Sequence, residues 1–245
     1  MILPCGPTAA VLAVADGAGG MPAGQHAAQL ALGELVHAVQ AATAAGEMLR
    51  AGILNGIERA NQAVMDLGVG AATTLVAVEV QENSVRSYHV GDSLILVVGR
   101  RGKVRLQTIA HSPVGYAVES GLLDEAEALH HEDRHIVSNM VGSPDMRIEI
   151  GPLLRLRPHD TLLLATDGLT DNLHTQEIVG RIRTGPLARV LGDLMAACAD
   201  RMCHPSEGAP SKPDDLACIL FRRMIAKADA AAITTSRDPQ CEQRG

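Results

Sequence analysis

Residues 9–20 read AAVLAVADGAGG, seven apolar positions closed by Asp16-Gly17 and followed by a glycine-rich stretch to Gly24. A short apolar run bounded by turn residues is a buried strand that delivers a loop. Beyond it the period lengthens. Leu32, Leu35, Val36 and Val39 sit at i, i+3, i+4 and i+7, and Ile53, Ile57, Ala60 and Val64 repeat similar spacing after Gly46, so two amphipathic helices follow the loop. The period then shortens through TTLVAVEV (73–80), VRSYHVG (85–91) and SLILVVG (93–99), with a glycine turn between Arg100 and Lys103 before VRLQTI, which predicts an antiparallel meander. Residues 111–145 read as a long irregular surface segment with one helical stretch, Leu123 to Leu129. Strand patterns return at MRIEI (146–150), TLLLAT (161–166) and LACILFR (216–222). Thr175 is placed to cap a helix starting near Gln176, and Leu187 to Met202 reads as another. The apolar period fades after about Met224, so residues 1–223 form one domain and 224–245 a disordered tail.

The 245 residues carry 21 Lys and Arg against 28 Asp and Glu, a net charge of −7, with 47% hydrophobic residues, as in one soluble domain with a large core. An acidic chain with only Tyr88, Tyr116 and Phe221 as aromatics argues against nucleic acid as a partner and against a planar cofactor. No apolar run approaches the roughly 20 residues of a membrane span. The first Arg is Arg50 and the first Lys is Lys103, so a basic leader is absent and the cytoplasm is expected. Cys5, Cys198, Cys203, Cys218 and Cys241 are irregularly spaced and read as reduced thiols. Cys198, Cys203 and His204 amount to half a zinc site with no second pair. His130, His131 and His135 fall in a charged stretch of the long segment and read as surface residues.

Four aspartates share a setting. Asp16, Asp92, Asp167 and Asp214 each end or precede an apolar strand beside glycine, a second acid or a tight turn. Strand ends converge on one rim of a sheet, so these carboxylates can meet in space and suit a hard divalent cation that takes oxygen ligands. Taken singly, each is equally readable as a turn aspartate.

The segments, in this order, resemble the metal-dependent PP2C-type serine/threonine phosphatases in their bacterial form. VADGAGG (14–20) is similar to the family's V-A-D-G-M-G-G loop, ATTLVAV (72–78) to its G-T-T strand and HVGDSL (89–94) to its V-G-D-S-R turn. LLLATDGLTDNL (162–173) resembles L-L-x-S-D-G-L-x-D, PDDLACILF (213–221) resembles the D-N-I-T-V strand, and HEDRHIVSNMVG (131–142) looks like the stretch between them. The resemblance implies an α+β fold, a four-layer αββα sandwich of two antiparallel sheets flanked by helices. It implies that Asp16 bridges two Mn²⁺ or Mg²⁺ ions, that Gly17 offers its carbonyl, that Asp167 and Asp214 hold one ion, and that Asp92 and Asp171 hold a third. The chemistry implied is direct hydrolysis of phosphoserine or phosphothreonine by a hydroxide shared between two ions. The substrates implied are phosphoproteins made by a Ser/Thr kinase, and the chain is expected to be a monomer.

The chain also departs from the family pattern. The R-x-x-N-E-D motif, whose arginine grips the phosphate, has no counterpart among the fifteen residues before Asp16. The N-terminal strand or strands that carry it are expected to be missing, leaving weak substrate binding and a sheet edge that must be covered or will be sticky. Ala18 stands where animal members place a histidine that protonates the leaving group, Leu94 replaces an arginine, and Ala110 replaces the acid before His111-Ser112. Two other readings follow: a non-catalytic binding or regulatory module on the same sandwich, or a chain that begins downstream of the motif.

Overall fold

The computed structural model describes residues 1–18, 22–124, 127–128, 131–206 and 208–223. The expected 224–245 tail, with Cys241, lies outside these residues, as do Gly19, Gly20 and His130. Strands β1 (Ile2–Pro4), β2 (Ala9–Val14), β3 (Leu75–Gln81), β4 (Ser84–Val90), β7 (Glu149–Ile150) and β8 (Leu154–Arg155) make one sheet in the order β1-β2-β3-β4-β7, with β8 also on β4. Strands β10 (Cys218–Arg222), β9 (Thr161–Ala165), β5 (Leu94–Val98) and β6 (Val104–Gln107) make the other, in that order. Every pairing between these strands is antiparallel.

Strands β2, β5 and β9 are apolar at nearly every position because both faces are covered. Leu12, Val14, Val76, Val78, Ile95, Val97, Leu162 and Leu164 point into the layer between the sheets. Their neighbours Val11, Ala13, Leu75 and Ala77 turn the other way, onto helices α1 (Pro22–Ala44) and α2 (Leu49–Met65). On the second sheet Leu94, Leu96, Val98, Leu163 and Ala165 face the helical layer instead. That layer is built from α4 (Asp167–Thr170), α5 (Thr175–Ile182) and α6 (Leu187–Cys203). Alternate residues of one strand thus feed different cores, and three cores between four layers give the αββα sandwich.

Four details differ from the sequence reading. Residues 73–107 are not one meander: β3 and β4 stay in the first sheet and β5 and β6 join the second, so the chain crosses between sheets at Gly91–Ser93. The edge of β2 is not bare, because β1 pairs along it and the Met1 ammonium donates to the Ala13 carbonyl at 2.7 Å. The long segment contains a helix, α3 (Pro113–Glu119), where none was expected. Its signal is Ser112-Pro113: the Ser112 Oγ accepts from the Gly115 N–H at 2.9 Å and proline takes the first helical position. The expected helix at Leu123–Leu129 includes residues 125, 126 and 129, outside the described set. Finally, Thr175 lies inside α5 rather than capping it, and the Glu177 carboxylate accepts from the His174 N–H at 3.0 Å.

The crossing at Gly91 is clasped from one side. Gly91 has φ +106°, a conformation that disfavours side chains, and a Cβ there would sit 2.7 Å from the Thr74 side chain. The His111 N–H donates to the Gly91 carbonyl at 2.9 Å, and the Gly91 N–H donates back to His111 Nδ1 at 3.1 Å. Asn139 Nδ2 donates to the same Nδ1 at 2.9 Å, its orientation fixed because its Oδ1 accepts from the Arg147 N–H. With Nδ1 accepting, the imidazole proton is on Nε2 and is donated to Glu149 Oε2 at 3.0 Å. Replacing this ring by His111→Leu strands two buried donors and should cost about 2–4 kcal/mol in urea unfolding. His111→Asn, which keeps an acceptor near the Nδ1 position, should recover at least about half of that loss. Equal losses in the two variants would show that the ring matters only for packing.

Candidate metal centre

Four separate strand ends deliver acids to one rim. Asp16 follows β2, Asp92 lies in the sheet crossing, Asp167 opens α4 directly after β9, and Asp214 precedes β10. Asp171 follows Asp167 by one helical turn, so its carboxylate lies on the same face. All five line one cavity of about 360 Å³ with Gly17, Ala18, Thr170, Arg134 and Lys212.

The position of Asp16 is set by its backbone. Its N–H donates to Thr74 Oγ1 at 3.0 Å, and its carbonyl accepts from the Thr74 N–H and the Thr73 hydroxyl, both at 2.8 Å. Thr74 Oγ1 is in turn 2.7 Å from Ser93 Oγ, beside Asp92. Two paired threonines and a serine therefore tie the first acid to the second. Gly17 is required by a close approach: a Cβ there would fall 2.1 Å from the Gly24 carbonyl oxygen at the start of α1. The crowding is with the chain itself. On the other side Thr166 bonds both ways to Ala217, N–H to carbonyl and N–H to hydroxyl at 3.0 Å each, which holds the Asp167 turn against the strand that begins after Asp214.

Gathering the carboxylates raises the proton affinity of Asp16, Asp92 and Asp167. Asp16 is pushed up to about 7 by burial first and then by the charge of Asp167, with which it shares a hydrogen bond, and of Asp214 and Asp92. Asp92 is also pushed up to about 7, by burial and then by Asp167 and Asp171. Asp167 is raised by burial and by Asp171. One oxygen from each of Asp167, Asp171 and Asp214 lies within 4.8 Å of the others. Into that gap reaches Lys212 Nζ, 2.8 Å from Asp171 Oδ2, 2.8 Å from Asp214 Oδ2 and 3.7 Å from Asp167 Oδ2. An all-oxygen donor set with an ammonium in its middle is a place built for a cation, and oxygen donors suit Mg²⁺ or Mn²⁺.

The structure brings together every acid singled out in the sequence and adds several residues to them. Thr73, Thr74 and Ser93 stood inside segments already quoted, but nothing in the sequence said that their hydroxyls hold Asp16. Lys212 comes from the stretch between α6 and β10, where nothing in the sequence singled it out. Arg134 came from the long segment. Ala18 lines the cavity with a methyl group, so that position brings no proton donor.

A second cluster, His89, His111 and Glu149, also lies within 4.8 Å but is a poor metal site. His111 Nδ1 accepts two hydrogen bonds and its Nε2 proton faces Glu149, so neither nitrogen offers a free lone pair. His89, 1% exposed and stacked on His111 at 4.2 Å, is held neutral by burial and by His111, with its pKa lowered to about 3. Nor do Cys198 and His204 meet: the Cys198 thiol is buried against the Gly168 carbonyl at 3.2 Å, while His204 is exposed beside Asp200.

The family model for protein phosphatase 2C matches residues 6–218. Protein phosphatase PhpP of Streptococcus pneumoniae is 31% identical over 176 residues, covering 69% of this chain and 70% of that protein. Among solved structures, the serine/threonine phosphatase of S. agalactiae superposes with a TM-score of 0.71 at 26% identity, over 88% of each chain. The catalytic domain of the serine/threonine protein phosphatase PstP, in complex with two manganese ions, gives 0.65 at 23% identity over 90% of this chain and 88% of that one, a likeness of fold alone. The match runs through all four strand ends that bear the acids, and on this topology the chain belongs to the protein phosphatase 2C family.

Proposed function

We propose that this chain is a metal-dependent protein phosphatase that hydrolyses phosphoserine and phosphothreonine on proteins modified by a Ser/Thr kinase, and that it works in the cytoplasm. The observation that carries the reading is the convergence of five aspartates from distant segments on one cavity, at the cost of raised pKa values for Asp16, Asp92 and Asp167. Asp16, Asp167, Asp214 and the Gly17 carbonyl are the residues to hold two Mn²⁺ or Mg²⁺ ions, and Asp92 and Asp171 to hold a third. Such ions, when bound, supply Lewis acidity toward a phosphoryl oxygen and a lowered pKa for water.

The chain's own part is charge and placement. Five ionised carboxylates against the Lys212 ammonium repel a phosphate dianion, and Asp16 holds the centre of the cage because its backbone is tied to Thr73 and Thr74. Divalent ions held there would offset most of that negative charge. Arg134 sets a guanidinium on the cavity wall, opposite in sign to the substrate. Ala18 brings no side chain that could protonate the leaving oxygen.

Mn²⁺-dependent release of phosphate from a phosphothreonine peptide tests the reading. EDTA should abolish it, and Asp16→Ala or Asp167→Ala should each lower kcat/KM by at least about 100-fold, which corresponds to about 2.7 kcal/mol of lost transition-state stabilisation. Turnover that survives EDTA, or that those substitutions leave unchanged, rejects the proposal.

Stability of the ion-free protein follows with a definite sign. A carboxyl raised on folding binds its proton more tightly in the native state, so its penalty grows as pH rises from about 4 toward 7 and is complete above that. The neutral His89 acts in the opposite direction on the acid side, so the comparison is best made between variants. In EDTA, Asp16→Asn should melt higher than the parent at pH 8, and the gap should shrink steadily as pH falls toward 4. A constant gap would mean that Asp16 is not raised.

A further inference from the structure

We infer that Lys212 is the resident counter-ion of the metal centre, so that loading a divalent ion between Asp167, Asp171 and Asp214 is an exchange in which the Lys212 ammonium is expelled from the cage. This rests on the metal-dependent reading of the same cavity.

Two observations carry it. The first is the position of the ammonium, which sits 2.8 Å from Asp171 Oδ2 and Asp214 Oδ2 and 3.7 Å from Asp167 Oδ2, in the gap those three oxygens enclose. A hard divalent ion bonded to the same oxygens, at the roughly 2.0–2.6 Å usual for Mg²⁺ and Ca²⁺, needs the same space. Two cations held within about 4 Å of each other repel even in water, and more strongly in a half-buried cavity. The second observation is how the lysine is mounted. Its N–H donates to Asn172 Oδ1 at 2.9 Å and its carbonyl accepts from Asn172 Nδ2 at 2.7 Å, while the same Nδ2 donates to the Gly168 carbonyl at 2.9 Å. Asn172 is fully buried. The backbone of Lys212 is therefore clamped to the turn that bears Asp167 and Asp171, whereas its four-carbon stem is free to swing and its side chain is 35% exposed.

The arrangement has a use. An ion-free cage of five carboxylates would repel itself, and a tethered ammonium lowers that repulsion without a diffusing ion. It also sets a threshold, because a divalent ion must outcompete a cation present at the high local concentration of a tether. Burial alone would lower the Lys212 pKa, but the hydrogen bonds that its ammonium donates to Asp171 and Asp214, with the nearby negative charges, outweigh it.

The test uses the full chain and Mn²⁺ alone, with bound Mn²⁺ measured by electron paramagnetic resonance. Lys212→Met keeps the stem and removes the charge, and should tighten Mn²⁺ binding by at least about tenfold, while Lys212→Arg should stay near the parent. In the parent protein, labelling of Lys212 by an amine-reactive ester, read by mass spectrometry against the exposed Lys103, should rise when Mn²⁺ saturates the site. Mn²⁺ bound equally by the parent and Lys212→Met, or Lys212 labelling unchanged at saturation, overturns the exchange and leaves the phosphatase reading standing. Failure of the parent and of Lys212→Met alike to bind Mn²⁺ overturns both.

Discussion

Repulsion among carboxylates that the backbone will not allow to separate is the constraint around which this molecule is arranged. Each acid is fixed by hydrogen bonds to its own main chain or turn, Asp16 by Thr73 and Thr74, Asp167 by the Thr166 turn, Asp92 by the clasped crossing. The side chains can therefore answer the repulsion only by holding protons, as Asp16 and Asp92 do near neutral pH, or by sharing a cation. A fold that accepts this cost has a site tuned for positive charge before any ligand arrives.

The rest of the structure supplies the stiffness that makes the cost bearable. Strands buried on both faces, feeding three cores from alternate residues, cannot slide in register without turning one core inside out. Rigid strands end at defined heights, and the acids placed at those ends inherit that definition. The His111 ring extends the same logic one layer outward: with no contact to the acids, it holds the Gly91 peptide from which Asp92 departs. Thr74 and Ser93 then join the Asp92 turn to the Asp16 turn through one 2.7 Å contact.

Positive charge at the cavity comes from Arg134 and Lys212, which reach it from outside the strands. A sandwich that keeps five acids, and the hydroxyl and amide contacts that aim them, has retained far more than a binding surface needs.

Much of this could be read from the chain itself. Runs such as VLAV and LLLA, apolar without alternation, announced strands buried on both faces, and the acids at their ends announced a converging rim. Those signals are local, since each depends on residues within one turn or strand of another. What only the folded molecule decided were the relations between segments: the sheet to which β5 belongs, the helix that begins at Ser112, the hydroxyls that hold Asp16, and the lysine that sits among the acids. Lys212 is 45 residues from Asp167, and nothing in either neighbourhood records the other. Their meeting is a property of how the β9 and β10 ends pack, through a buried asparagine clasp between segments 40 residues apart.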